Sequence, residues 1–147
     1  MADALQQLGD QAAALLKQLS ATERRKLAAD LARTMRATQA ERIRANKQPD
    51  GTPMSPRKPR AKHGAIRRKM FAKLVKPAWF KATATANEAA VEFTGSANRI
   101  ATIHHFGLRD KINGKEVQYP ERQLIGITDA DIDRIEDRLL KSLTASL

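Results

Sequence analysis

The stretch "NKQPDGTPMSPRKPRAKHG", residues 46–64, holds four prolines and two glycines. No regular helix or central strand can run through it, because proline lacks the N–H that either ladder needs. It therefore divides the chain. Within it "PDG" is a turn signal, with proline fixing φ ahead of an aspartate and a glycine. The stretch is expected to be an exposed arm, extended or disordered, with little to bury inside one subunit.

Before the arm the sequence reads as a helical pair. Leu5, Leu8, Ala12, Leu15, Leu16 and Leu19 recur at spacings of three and four, one apolar stripe over residues 3–19. Ser20 then stands three positions ahead of Glu23, the capping-box arrangement. A second helix is expected from there to about Ala45, with Leu27, Leu31 and Met35 facing its partner. Its arginines (24, 25, 33, 36, 42 and 44) should lie mostly on the outer side.

After the arm, "AIRRKMFAKLVK" places Ile66, Met70, Phe71, Leu74 and Val75 at helical spacing among five cations, which predicts a basic amphipathic helix. The period then changes. "WFKATAT" and "AAVEFTG" alternate about "ANE", an antiparallel pair over 79–85 and 89–94. Residues 98–106 read as a short helix ended by Gly107. Asn113-Gly114 supplies the two positive-φ positions of a type I′ turn, so a second, projecting hairpin is expected there. Thr128 with Asp131 caps a last helix, stapled by Ile127 and Ile132 and striped by Ile135, Leu139, Leu143 and Leu147.

The expected fold class is α+β: two N-terminal helices, a small mostly antiparallel sheet with a projecting hairpin, and a C-terminal helix packed on it. The expected organisation is a helical pair (1–45), an extended basic arm (46–64) and an α+β core (65–147), one domain overall in 147 residues.

Chemistry is sparse. The absence of cysteine excludes disulfide scaffolds and thiolate nucleophiles. The serines fall in no strand–turn–helix elbow, and Asp129, Asp131 and Asp133 are first-turn acids that a helix dipole favours. His104 and His105 are adjacent, hence about 100° apart on a helix, whereas helical metal pairs sit three or four apart. Ile100, Ile103 and His104 are expected to share one face, with His105 pointing elsewhere. His104 is therefore read as a core-edge residue bonded to backbone. No catalytic residue, cofactor or metal is expected. No apolar run approaches a membrane span, and the leading "MADALQQLGD" lacks a secretion pattern, so a cytosolic site of synthesis and residence is expected.

Net charge is the exception to this blandness. The formal value is +11, and from Gly51 to Asn87 there are ten basic residues and no acidic one. Arg57, Lys58, Arg60, Lys62, Arg67, Arg68 and Lys69 are the candidate contacts for DNA or for an acidic partner. Phe71, Trp79 and Phe80 are the aromatics available for stacking. With no recognition motif in view, binding through the 57–81 segment would be non-specific, and a nucleic-acid-binding accessory protein is the alternative reading.

The arm, the element "IATIHHFG" and the segment "YPERQLIGITDADIDRIEDRLL" together, in this order and spacing, resemble the phage virion morphogenesis, or tail-completion, family of long-tailed bacteriophages. The matched positions are Pro49, Asp50, Gly51, Ile103, His104, Phe106, Gly107, Pro120, Arg122, Leu124 and Gly126. Met54 stands where relatives often carry tryptophan, and Gln123 where proline is common; the departures imply a looser arm and a looser entry to the last strand. The resemblance implies a structural, non-enzymatic protein that completes or terminates the tail and helps join it to the head at the neck. It also implies self-association in a ring, hexameric by match to a sixfold tail tube. The partners it implies are the tail tube and neck or head-completion proteins, with DNA passing nearby, in a virion assembled in the host cytoplasm.

Overall fold

A computed structural model describes residues 2–57 and 69–145 of the chain. Among these the architecture is α+β. The helices are α1 (Ala2–Leu16), α2 (Ala21–Arg44), α3 (Ser96–Phe106) and α4 (Asp129–Ala145). The strands are β1 (Phe80–Ala84), β2 (Ala89–Phe93), β3 (Arg109–Ile112) and β4 (Lys115–Gln118). They form two separate two-stranded antiparallel ribbons, β1–β2 and β3–β4, in place of one sheet. By contacts the chain divides into two compact units, one of residues 1–38, 82–91 and 127–147, the other of 39–81 and 92–126. Both α2 and the β1–β2 ribbon contribute residues to each.

The first unit is built on leucine stripes. Leu8, Ala12, Leu19, Leu27, Ile132 and Leu139 form a buried cluster, with Leu16, Leu31, Ile127, Ile135 and Leu143 packed against it. The C-terminal helix, expected on the sheet, packs instead on α1, through the stripe read from its spacing; Leu147 lies outside the described residues. The helix starts follow the capping residues. Glu23 N–H donates to Ser20 Oγ at 3.1 Å. At α4 the box is reciprocal: Asp131 N–H donates to Thr128 Oγ1 at 3.1 Å, and Thr128 N–H to Asp131 Oδ2 at 3.0 Å. An aspartate serves here because its carboxylate, buried in the unit, also accepts from Arg134 and from Thr38. Arg138 spans from α4 to both oxygens of Asp30 on α2 at 2.8 Å. Arg24, expected outside, turns inward to the carbonyls of Leu19 and Ala86.

In the second unit Phe80 stacks on Phe93, ring centroids 4.5 Å apart, and Ile43, Val75 and Leu124 are buried in the same unit. Both helix ends here are Schellman motifs: Asn46 (φ 57°) ends α2 with Lys47 N–H on the Arg42 carbonyl, and Gly107 (φ 64°) ends α3 with Leu108 N–H on the Ile103 carbonyl. Asn113 (φ 51°) and Gly114 (φ 80°) make the predicted β3–β4 turn, with Ile112 opposite Lys115.

Two further expectations are corrected. The described part of the basic segment, 69–76, is a succession of turns instead of a helix, closed by i to i−3 bonds such as Leu74 N–H to Phe71 O. Phe71 at φ 64° cannot sit inside a right-handed helix. Met70, Leu74 and Val75 are buried all the same, so the apolar spacing reported burial and not conformation. The arm is corrected too: residues 46–57 are folded back. Lys47 bridges Pro53, Gln48 N–H bonds Thr52 O, and Met54 N–H bonds Asn46 O at 2.7 Å. Met54 is buried there. Residues 58–64 lie outside the described residues.

Candidate functional site

The residues that carry the family resemblance converge on residues 119–126, a run that is neither helix nor strand. Buried backbone polar groups without partners are costly, and side chains from three elements provide the partners here. Arg122 N–H donates to the His104 carbonyl at 2.8 Å. Gln123 N–H donates to Gln48 Oε1 at 3.0 Å, a bond that proline at this position would forfeit. Leu124 N–H donates to His105 Nδ1 at 3.1 Å, and its carbonyl accepts from Arg42 Nη2 at 2.8 Å. Gln39, buried on α2, donates to the Gly126 carbonyl at 2.9 Å and accepts its N–H at 3.2 Å, as a paired strand would. Arg42 also holds Gln39 Oε1 and the Lys47 carbonyl, which links the run to the arm.

Arg122 fastens the arm on this run. Its side chain is buried, and its Nε donates to Ser55 O at 2.7 Å and its Nη2 to Pro56 O at 3.1 Å. Its Nη1 faces His104 Nδ1 at 3.2 Å. No carboxylate is among these partners; burial and the nearby Arg57 both press the guanidinium toward deprotonation, with Tyr119 opposing them weakly. Arginine suits the place because its planar fork stays charged and reaches three acceptors at once.

The two histidines divide the work differently from the expectation. His105, not His104, bonds backbone with its ring. The His104 ring lies between Phe71 (4.9 Å) and Tyr119 (4.5 Å), with its Nδ1 toward Arg122. Each ring therefore accepts at Nδ1 and is neutral with Nε2 protonated. Burial is the main cause that holds both imidazoles below the usual histidine range; at His104 Arg122 adds to it and Asp110 opposes it, and at His105 Glu121 opposes it and Arg42 adds to it. Ile100 is exposed and does not share the buried face of Ala97, Ala101 and Ile103. Glu88 and Glu92 stay on or beside the β1–β2 ribbon, and Asp110 pairs with Arg99 at 2.6 Å. Among the described residues no three histidine or carboxylate side chains converge to hold a metal.

Most of the matched positions meet in this clasp. Pro49 lies on Gly126 so closely that a Cβ there would stand 2.5 Å from Pro49 Cγ. Asp50 and Gly51 turn the arm, the Asp50 carboxylate accepting from Thr52 Oγ1 and N–H and held below the usual range by them. Gly107 combines its left-handed φ with a close approach to Glu121, whose N would be 2.8 Å from a Cβ. Ile103 and Leu124 are buried, Phe106 and Pro120 exposed. Of the basic candidates, Arg57 and Lys69 are exposed; Lys58, Arg60, Lys62, Arg67 and Arg68 lie outside the described residues. Gln39, Arg42, Gln48 and His105 were not legible as site residues. Gln39 and Arg42 do fall three apart on one face of α2, yet on a helix rich in arginine such a pair reads as solvent-facing.

The model of the phage virion morphogenesis family matches residues 3–144, and the chain belongs to that family. It is 40% identical over 140 residues to the tail completion protein S of Escherichia phage P2, an alignment that covers 91% of this chain and 93% of that protein. No solved structure gives a significant match. Among the described residues no helix is long and apolar enough to cross a membrane.

Proposed function

We propose that this chain is a structural subunit that completes the tail of a long-tailed phage and helps join it to the head. The observation that carries the reading is the near end-to-end likeness to a tail completion protein, at 40% identity and with over nine-tenths of both chains covered. The clasp supports a structural and non-catalytic role: the two histidines that offered chemistry are both taken up as hydrogen-bond acceptors holding backbone and Arg122. The subunits form a hexameric ring matched to the tail tube, touch neck or head-completion proteins, and are assembled into the virion in the host cytoplasm.

Contact with DNA in the channel would be made by phosphate neutralisation from the exposed Arg57, Lys69, Lys73, Lys76 and Lys81. The rival nucleic-acid reading loses two of its three stacking aromatics, since Phe80 is buried on Phe93 and Phe71 packs on His104. A phage lacking this chain should make filled heads and separate tails that do not join, and the chain supplied in trans should restore infectious particles. Normal virions from the lacking phage would overturn the proposal.

A further inference from the structure

With a formal net charge of +11, two copies of this chain repel unless surfaces of opposite sign meet. One such surface exists. Helices α1 and α4 together carry seven acidic residues and three basic ones. Between them runs a groove of about 210 Å³ lined by Leu8, Leu16, Leu139, Leu140 and Leu143, with Glu136 on its rim. Leu140 is 61% exposed there. Asp133, Glu136 and Leu140 recur at spacings of three and four and so share a face of α4. Asp137 is taken by Lys141 and Asp131 by Arg134, while Asp133 and Glu136 make no ion pair among the described residues.

The opposite pattern stands at the tip of the β3–β4 ribbon. Ile112, 45% exposed, sits next to the Asn113-Gly114 turn with its cross-strand partner Lys115 on the same face, while Lys111 lies on the other face opposite Glu116. Within its own unit the ribbon is tied to α3 by Arg99 and Asp110, yet among its eight strand residues only Asp110 and Val117 are partly covered. A two-stranded ribbon this bare is marginal unless something packs on it. An aliphatic knob with the Lys115 ammonium on its own face of the ribbon complements a leucine groove lined by the Glu136 carboxylate, in both polarity and charge.

We infer that the β3–β4 tip of one copy inserts Ile112 into the α1–α4 groove of a second copy, with Lys115 against Glu136 and Asp133. Plug and groove are different surfaces, so each pair leaves one of each free. Such a head-to-tail contact repeats, and closes into a ring when the rotation allows. The inference rests on the proposed role as a self-assembling structural subunit and names the contact by which it would assemble.

The chain has no cysteine, which permits a direct test. Ile112→Cys and Leu140→Cys proteins, one of them carrying a mass tag, are mixed at low salt and oxidised. A disulfide between the two variants should predominate over either symmetrical product and decline as salt rises. Ile112→Asp should weaken self-association about tenfold or more, whereas Ile100→Asp, exposed on α3, should not. Three results would each overturn the inference: symmetrical products alone, an Ile112→Asp protein that associates normally, or an Ile112→Cys protein cross-linked in virions only to a different tail protein. If the variants restore tails in the complementation assay but give no mixed disulfide, the contact is wrong and the tail-completion reading stands. A mixed disulfide from a protein whose loss leaves virions normal separates the two in the other direction.

Discussion

Replacing Arg122 with alanine removes three side-chain hydrogen bonds, to Ser55 O, Pro56 O and His104 Nδ1, all from one buried cation. Bonds from a charged donor contribute about 1.5–3 kcal/mol each, but the three share one guanidinium and are not additive. The gain from no longer burying a cation without a carboxylate offsets part of the loss. The net cost is about 3 kcal/mol, concentrated where the arm is held. Amide exchange of residues 46–57 should then accelerate roughly a hundredfold, while amides of the α1–α4 cluster in the other unit stay near their wild-type rates. Arg122→Lys keeps the charge but not the fork, and should loosen the arm nearly as much. The backbone bond from residue 122 to the His104 carbonyl survives both changes. Wild-type exchange of the arm in Arg122→Ala would refute the clasp. A silent Arg122→Lys beside a disruptive Arg122→Ala would mean that charge, not planar geometry, is what matters.

Because burial lowers both histidine pKa values, the folded chain binds fewer protons than the unfolded one in mildly acidic solution. The associated stability is present above about pH 6.5 and drains away as pH falls through the lowered values; denaturant midpoints between about pH 8 and pH 5 check the sign, and His105→Asn, which keeps an acceptor near Nδ1, should lessen the dependence. Gly126→Ala sets a methyl against Pro49 and should cost about 1–3 kcal/mol by denaturant melt, with the arm more readily cut by protease. Thr128→Ala removes the acceptor for Asp131 N–H and should cost about 1 kcal/mol, read by the same melt. Any DNA affinity should be independent of sequence and fall steeply with salt in a filter-binding titration, since phosphate contacts from Arg57 and the exposed lysines would supply it.

The helices and turns are legible in the sequence because local chemistry decides them. Ser20 and Thr128 start helices, Gly107 ends one, and Asn113-Gly114 turns a hairpin, each through bonds within a few residues. The 69–76 turns are not legible, since Met70, Leu74 and Val75 can be buried by a helix or by compact turns and spacing alone does not choose. The folding-back of the arm is hidden for a related reason. Its prolines exclude regular structure but not packing, and its partners lie 67 residues away in the contact of Arg122 with Ser55 and 75 in that of Gln123 with Gln48. Family resemblance marks Arg122, Pro49 and Gly126, whereas the side chains that complete the ladder, Gln39 and His105, become visible only once the run at 122–126 has a place.

Counting this chain in purified particles tests the central claim most directly. Quantitative mass spectrometry of intact virions and of isolated tails, with the tail-tube protein as internal standard, gives copies per particle. A structural tail-completion subunit predicts a small fixed number, about six, present in tails separated from heads as well as in whole virions. Its absence from both, with infectivity intact, would contradict the account.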